Sequence, residues 1–119
     1  MPPAKYPGKL EIYRGDPFSF SFVVNPDDPW DLTDWEGRAQ IRPTTESDEA
    51  WDWDVTISSP TEGQVTLHLS GSQTAEFTPT EGADTWAWDV ELLSTEPGAE
   101  WETYIFGRAV VKPDVTRVP

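Results

Sequence analysis

Large apolar residues recur at every second position in short stretches of this chain, with acids and hydroxyls between them. Three stretches carry the pattern best: Phe18-Ser19-Phe20-Ser21-Phe22, Trp51-Asp52-Trp53-Asp54-Val55-Thr56-Ile57 and Thr85-Trp86-Ala87-Trp88-Asp89-Val90-Glu91-Leu92. Period two marks a strand with one face buried and the other in water. Pro, Gly and Asp clusters punctuate the runs, and no segment has a sustained helical period. Read in order, the pattern predicts strands over residues 9–14, 18–24, 35–42, 51–57, 64–69, 85–93 and 100–112. Leu10 and Ile12 share one face of the first, and Val65, Leu67 and Leu69 share one face of the fifth. In the third, Trp35, Gly37, Ala39 and Ile41 oppose Glu36, Arg38, Gln40 and Arg42. The last run has apolar residues on both parities, which predicts burial on both faces or a bulge near Gly107. Residues 71–77 are the one helix candidate, with Ser72 as its cap and Pro79 as its stop. Residues 25–29, 43–50 and 80–84 read as loops.

Seven short strands at this spacing predict an all-β fold, an immunoglobulin-like antiparallel β-sandwich of about seven strands with one short helical turn. The chain has 119 residues, enough for a single core without staples. Seven Trp, five Phe and three Tyr supply that core, since each aromatic buries roughly 150–250 Å². Phe20, Phe22, Trp53, Trp88 and Val90 are its expected members. The Pro-rich residues 1–8 read as an N-terminal arm and residues 9–119 as the one domain.

Composition narrows the function. Cysteine is absent, so disulfides, a thiol nucleophile and cysteine-ligated metal are excluded. No apolar leader or membrane-length run is present, and the expectation is a soluble chain without an export signal or membrane contact. The net charge is −14, and a surface this negative repels nucleic acid and anionic lipid. The bases gather at the two ends. Lys5, Lys9 and Arg14 stand against Glu11 near the start, and Arg108, Lys112 and Arg117 against Asp114 near the finish. Between them only Arg38 and Arg42 accompany the remaining acids. In a sandwich whose first and last strands run side by side, these ends form one basic flank. Lys5, Tyr6, Lys9, Arg14, Arg108, Lys112 and Arg117 are therefore the candidate partner-binding residues. The alternative is ordinary edge protection by charge.

Catalytic equipment is sparse. His68 is the only histidine, on a strand whose other face is apolar, and no serine motif accompanies it. Asp52 and Asp54 are expected on one strand face about 7 Å apart, which is the nearest approach to a glycosidase pair. Asp27, Asp28 and Asp31 cluster in a loop without the spacing of a known calcium loop. No catalytic residue, cofactor or metal is assigned on these grounds.

Several segments in fixed order resemble a known family. They are Tyr13-Arg14-Gly15-Asp16-Pro17-Phe18, Trp30-Asp31-Leu32-Thr33-Asp34-Trp35, Ala39-Gln40-Ile41-Arg42 and Gly63-Gln64-Val65-Thr66-Leu67. Ser72-Gln73-Thr74-Ala75, Trp88-Asp89-Val90-Glu91-Leu92 and the run from Phe106 to Thr116 follow. The order resembles the immunoglobulin-like domain at the N-terminus of tailed-phage baseplate upper proteins, and related stand-alone domains among structural genes of actinobacterial phages. The resemblance covers residues 12–117, with Leu32-Thr33-Asp34 where the family usually has Leu-Thr-Gly. It implies a non-enzymatic virion protein made in the host cytoplasm, present in multiple copies and bound to other virion proteins. A chain ending at Pro119 is expected to be an accessory subunit decorating the capsid head, with a tail or baseplate subunit as the alternative. A carbohydrate-binding module is a further alternative, and it requires two or three Trp or Tyr rings exposed on one flat face.

Overall fold

The computed structural model describes residues 4–44, 48–77 and 86–113. Within them lie eight strands: β1 (Ala4–Tyr13), β2 (Phe18–Val23), β3 (Glu36–Arg42), β4 (Trp51–Asp52), β5 (Asp54–Ser59), β6 (Gln64–Leu69), β7 (Trp86–Leu93) and β8 (Glu102–Lys112). They form a five-stranded sheet in the order β1-β8-β7-β3-β4 and a three-stranded sheet in the order β2-β6-β5. One apolar cluster fills the space between the sheets, with Leu10, Ile12, Ala39, Ile41, Trp86, Trp88 and Val90 from one and Val65, Leu67 and Leu69 from the other. The chain is an all-β sandwich. The period-two runs dictate this, because each strand has one apolar face to hide and only another sheet is flat enough to cover it.

Two expectations about the strands are corrected. The first strand runs parallel to the last, with Leu10 opposite Ala109 and Ile12 opposite Val111, so the sandwich is not wholly antiparallel. The run at residues 51–57 is two strands, not one. Trp51 pairs with Ile41 in the five-stranded sheet, and Asp54 pairs with His68 in the three-stranded sheet. Between them the Trp53 N–H donates to the Ala39 carbonyl at 3.0 Å, and the Trp53 side chain is buried. Crossing between sheets at a buried tryptophan preserves the alternation, which is why the sequence reads as one strand.

Residues 4–8, expected as an arm, form the first half of β1, which shifts register between Lys5 and Lys9. Tyr6 turns inward, edge-on to Phe20 at 5.2 Å and to Trp88 at 5.7 Å. Trp53, Trp88 and Val90 are buried as expected, whereas Phe20 and Phe22 are half-buried because β2 is a sheet edge. The bulge falls at Tyr104 and not at Gly107. Val90 pairs with Ile105 and Glu91 with Thr103, leaving Tyr104 over, while Gly107 sits in regular register opposite Trp88. Gly107 is needed for packing, since a Cβ there would meet the Trp88 ring at 2.8 Å.

The short helix α1 (Gly71–Thr74) is capped by Ser70, two residues earlier than the expected Ser72. The Ser70 hydroxyl accepts from the Gln73 N–H while the Gln73 side chain accepts from the Ser70 N–H, and this reciprocal box outranks a lone serine. Thr74 is fully buried and pins the β1–β2 turn. Its hydroxyl donates to the Asp16 carbonyl at 2.8 Å and accepts from the Gly15 N–H at 3.0 Å. The proposed Pro79 stop and the loop at 80–84 lie outside the described residues.

Candidate interaction site

The parallel β1–β8 pairing brings the two basic chain ends together. Lys9 lies opposite Arg108, Lys5 opposite Phe106 and Tyr13 opposite Lys112. Lys5, Lys9 and Arg108 are exposed. Lys112 reaches Glu11 at 3.5 Å and sits 5.7 Å above the Tyr13 ring. Arg14 is half-buried and donates from Nε to the Ala75 carbonyl at 3.0 Å, so it ties the flank to α1. Tyr6 is not on this surface because it points into the core, and Arg117 lies outside the described residues.

Sheet register extends the flank in a way the sequence could not indicate. Arg108 pairs with Ala87 on β7, and Ala87 pairs with Arg42 on β3. A row Lys9–Arg108–Ala87–Arg42 therefore crosses the outer face of the five-stranded sheet, with small Ala87 between the guanidinium groups. The neighbouring row is Lys5–Phe106–Asp89–Gln40–Asp52. A trough of about 970 Å³ has Lys5, Gln40, Arg42, Asp89, Phe106 and Arg108 in its lining. Trp53 also lines it, and the indole Nε1–H of this residue has no hydrogen-bond partner among the described residues. Burial holds the Asp89 carboxyl above its usual range, with the Glu91 charge adding to this and Arg42 and Arg38 opposing it. Arg38 binds Glu91 at 2.6 Å and lies 4.2 Å above the Trp101 ring. The alternation of Glu36, Arg38, Gln40 and Arg42 hinted at this face, but the row itself follows only from register.

The outer face of the three-stranded sheet is different in kind. Ser21 and Thr66 share a hydrogen bond of 2.8 Å, and Ser58 and Thr66 share one of 3.0 Å. Ser19 bonds His68 Nδ1 at 2.8 Å, with Asp54 paired to His68 on its other side. No serine motif marks His68 in the sequence, yet strand pairing of residues 19 and 68 sets a serine beside it. The wiring is the reverse of a hydrolytic triad, in which the carboxylate takes Nδ1 and the serine takes Nε2. This row also lies on an open sheet face, in the lining of neither cavity described here. The Asp52–Asp54 pair is dissolved by the sheet crossing at Trp53. Asp52 accepts from the Gln40 amide on one outer face, and Asp54 stands on the other. Among the described residues, no group of three or more His, Cys, Asp or Glu is placed to hold a metal ion.

A smaller cleft of about 310 Å³ opens at one end of the sandwich, with Trp30, Trp35, Tyr104, Glu96, Glu100 and Glu102 in its lining. Its tryptophans are set by a tight turn. Buried Leu32 donates to the Pro60 carbonyl at 2.7 Å, and the Trp35 N–H closes back on the Leu32 carbonyl at 3.0 Å. Asp31 accepts from both the Thr33 hydroxyl and its N–H, which holds the Asp31 carboxyl below its usual range. Tyr104 comes from the bulge, and its hydroxyl accepts from the Asn25 N–H at 2.7 Å.

No family model matches the chain, and no curated protein matches it. Among solved structures, an internalin-like protein of Listeria monocytogenes aligns over 94% of this chain at 12% identity, with a TM-score of 0.38. The chain spans 28% of that structure's length. Among the described residues, no helix is long and apolar enough to cross a membrane.

Proposed function

We propose that the chain is a non-enzymatic structural protein of a phage particle, an immunoglobulin-like module that docks other virion proteins through the outer face of its five-stranded sheet. One observation carries this reading: the bases and the exposed large apolar side chains among the described residues share that face. Every described Lys and Arg lies on or directly beside the five-stranded sheet, and β2, β5 and β6 have none. Among the described residues, the two large apolar side chains that stay exposed, Tyr13 and Phe106, project from β1 and β8 among them, opposite Lys112 and Lys5. Aromatic anchors inside a charged rim are the usual anatomy of a protein interface. Exposed ion pairs contribute only about 0–1 kcal/mol each, so the bases orient and steer an acidic partner while Phe106 and Tyr13 supply the buried area. The ordered family-like segments in the sequence support the phage assignment, and the single histidine and missing cysteine of the sequence support the non-enzymatic one.

The test is occupancy on the particle. Mass spectrometry of purified particles is expected to find the chain in multiple copies. The variants Arg108→Glu with Lys9→Glu, and Phe106→Ser separately, should stay folded yet lose about tenfold or more in occupancy. A chain absent from purified particles, or charge and anchor variants that assemble normally, would sink the reading.

A further inference from the structure

We infer that the end cleft is a binding site for an alkylated ammonium group, independent of the docking face. Two features converge there. The first is an aromatic wall. The Trp30 ring lies 6.1 Å from Trp35 at 50° and 6.1 Å from Tyr104 at 66°, so three rings meet as the tilted sides of a corner. The second is the charge of the rim. Glu96, Glu100 and Glu102 are exposed at the mouth, and among the described residues no Lys, Arg or His lines it. Aromatic faces attract cations through the ring quadrupole, and they do so best for alkylated ammonium ions, which lose little hydration on entry. Carboxylates at the rim add Coulomb attraction, and the −14 charge of the whole chain enriches cations nearby.

The backbone is shaped to make this corner. With Tyr104 as an extra residue in β8, the strand's parity reverses beyond it. Trp88 and Gly107 pair on the inner side, and so do Val90 and Ile105, but past the bulge Glu102 falls opposite Leu92. An acid thus stands where the alternation would place a core residue, and Tyr104 swings inward to stack parallel to Phe22 at 6.2 Å. Bulges that re-aim side chains recur beside binding sites. Among the described residues, the two non-glycine positions with left-handed backbone are Asn25 at φ 54° and Asp34 at φ 66°, and both adjoin rings of this cleft. Asn25 holds the Tyr104 hydroxyl and Asp34 delivers Trp35. Strained backbone of this kind concentrates where a side chain must be held in place.

A neutral sugar is the rival occupant, because tryptophans also stack on sugars. It does not account for three carboxylates without a base. The rings also form a corner and not the flat platform that a glycan requires. The site stands about 13 Å along β8 from Arg108, so its occupancy and the docking reading can be tested apart.

The experiment is a titration of the intact chain followed by the indole N–H resonances of Trp30 and Trp35, assigned with Trp30→Phe and Trp35→Phe. Tetramethylammonium chloride is expected to move both resonances saturably. The uncharged choline isostere 3,3-dimethylbutanol should bind at least about tenfold more weakly. Glu102→Gln with Glu100→Gln, both exposed, should weaken tetramethylammonium binding by several-fold without changing the melting temperature. Choline and a trimethyllysine peptide, compared side by side, identify whether the group arrives free or on a side chain. Equal binding of the neutral isostere, shifts produced only by N-acetylglucosamine, or no shift with any cation would overturn the assignment.

Discussion

The two outer faces of this sandwich are made by the same alternation, yet they carry opposite chemistry. On the five-stranded sheet the outward positions are Lys9, Arg108, Arg42, Arg38, Asp89 and Glu91, with Phe106 and Tyr13 among them. On the three-stranded sheet they are Ser19, Ser21, Asp54, Thr56, Ser58, Thr66 and His68, with Ser19 bonded to His68 and both Ser21 and Ser58 bonded to Thr66 across strands. Hydroxyls paired within the sheet have their hydrogen bonds already satisfied and little to offer a partner. On the larger sheet Arg38 binds Glu91 and Arg42 donates to Gln40, but the exposed Lys9, Arg108 and Phe106 extend away from the sheet on long side chains. The comparison teaches that the two faces differ in reach as much as in polarity.

The largest effects should come from the seam between the sheets. Trp88→Ala is expected to cost about 3–5 kcal/mol in denaturant unfolding, because the ring is buried against Tyr6, Phe20 and Gly107 and its Nε1–H donates to the Arg108 carbonyl at 3.1 Å. Phe20→Ala, on the half-buried edge of the smaller sheet, should cost clearly less. Equal costs would mean the two sheets share the core evenly. Next comes Gly107→Ala, which should cost about 1–3 kcal/mol by overpacking in the parent and almost nothing in a Trp88→Ala background. Additive costs would show that the glycine is needed for its backbone alone.

The outer faces should respond more weakly. Thr66→Ala removes the shared hydroxyl of the Ser21 and Ser58 bonds and should cost no more than about 1 kcal/mol, with no effect on particle occupancy. Loss of occupancy would move the docking surface to the smaller sheet. The smallest effect is electrostatic. Because burial raises the Asp89 carboxyl, the folded chain keeps that proton more readily than the unfolded chain does. The penalty is absent below the unfolded carboxylate range, develops as pH rises through the folded value, and is complete above it. Asp89→Asn should therefore melt slightly higher than the parent at neutral pH and equally at about pH 3. A variant that melts lower at neutral pH would mean that Arg42 and Arg38 outweigh desolvation.

Local pattern was legible wherever a run was bounded by turn residues. The strand at 64–69 has the predicted limits because Gly63, in left-handed conformation, and the capping Ser70 close it. The adjacency of the basic ends was also legible, since it requires only that first and last strands meet. What failed was everything that depends on which sheet a residue joins. Asp52 and Asp54 read as neighbours because both are outward residues in an unbroken alternation, although each belongs to a different sheet. The Ser19–His68 bond, the reach of the basic row to Arg42 and the Tyr104 bulge each arise from partners distant along the chain. No local composition encodes them.

The parallel pairing of β1 with β8 also sets a schedule for synthesis. Leu10 meets Ala109 and Ile12 meets Val111, residues roughly a hundred positions apart, and such distant pairings form slowly because the loop must close first. Residues 4–13 leave the ribosome early and must wait, unpaired, until the last strand emerges. During that interval Leu10 and Ile12 are bare, and the interspersed Lys5, Pro7 and Lys9 are well placed to keep the waiting strand from pairing with a neighbouring chain. The same bases that line the outer face of the finished molecule then act earlier, as guards of an unfinished one.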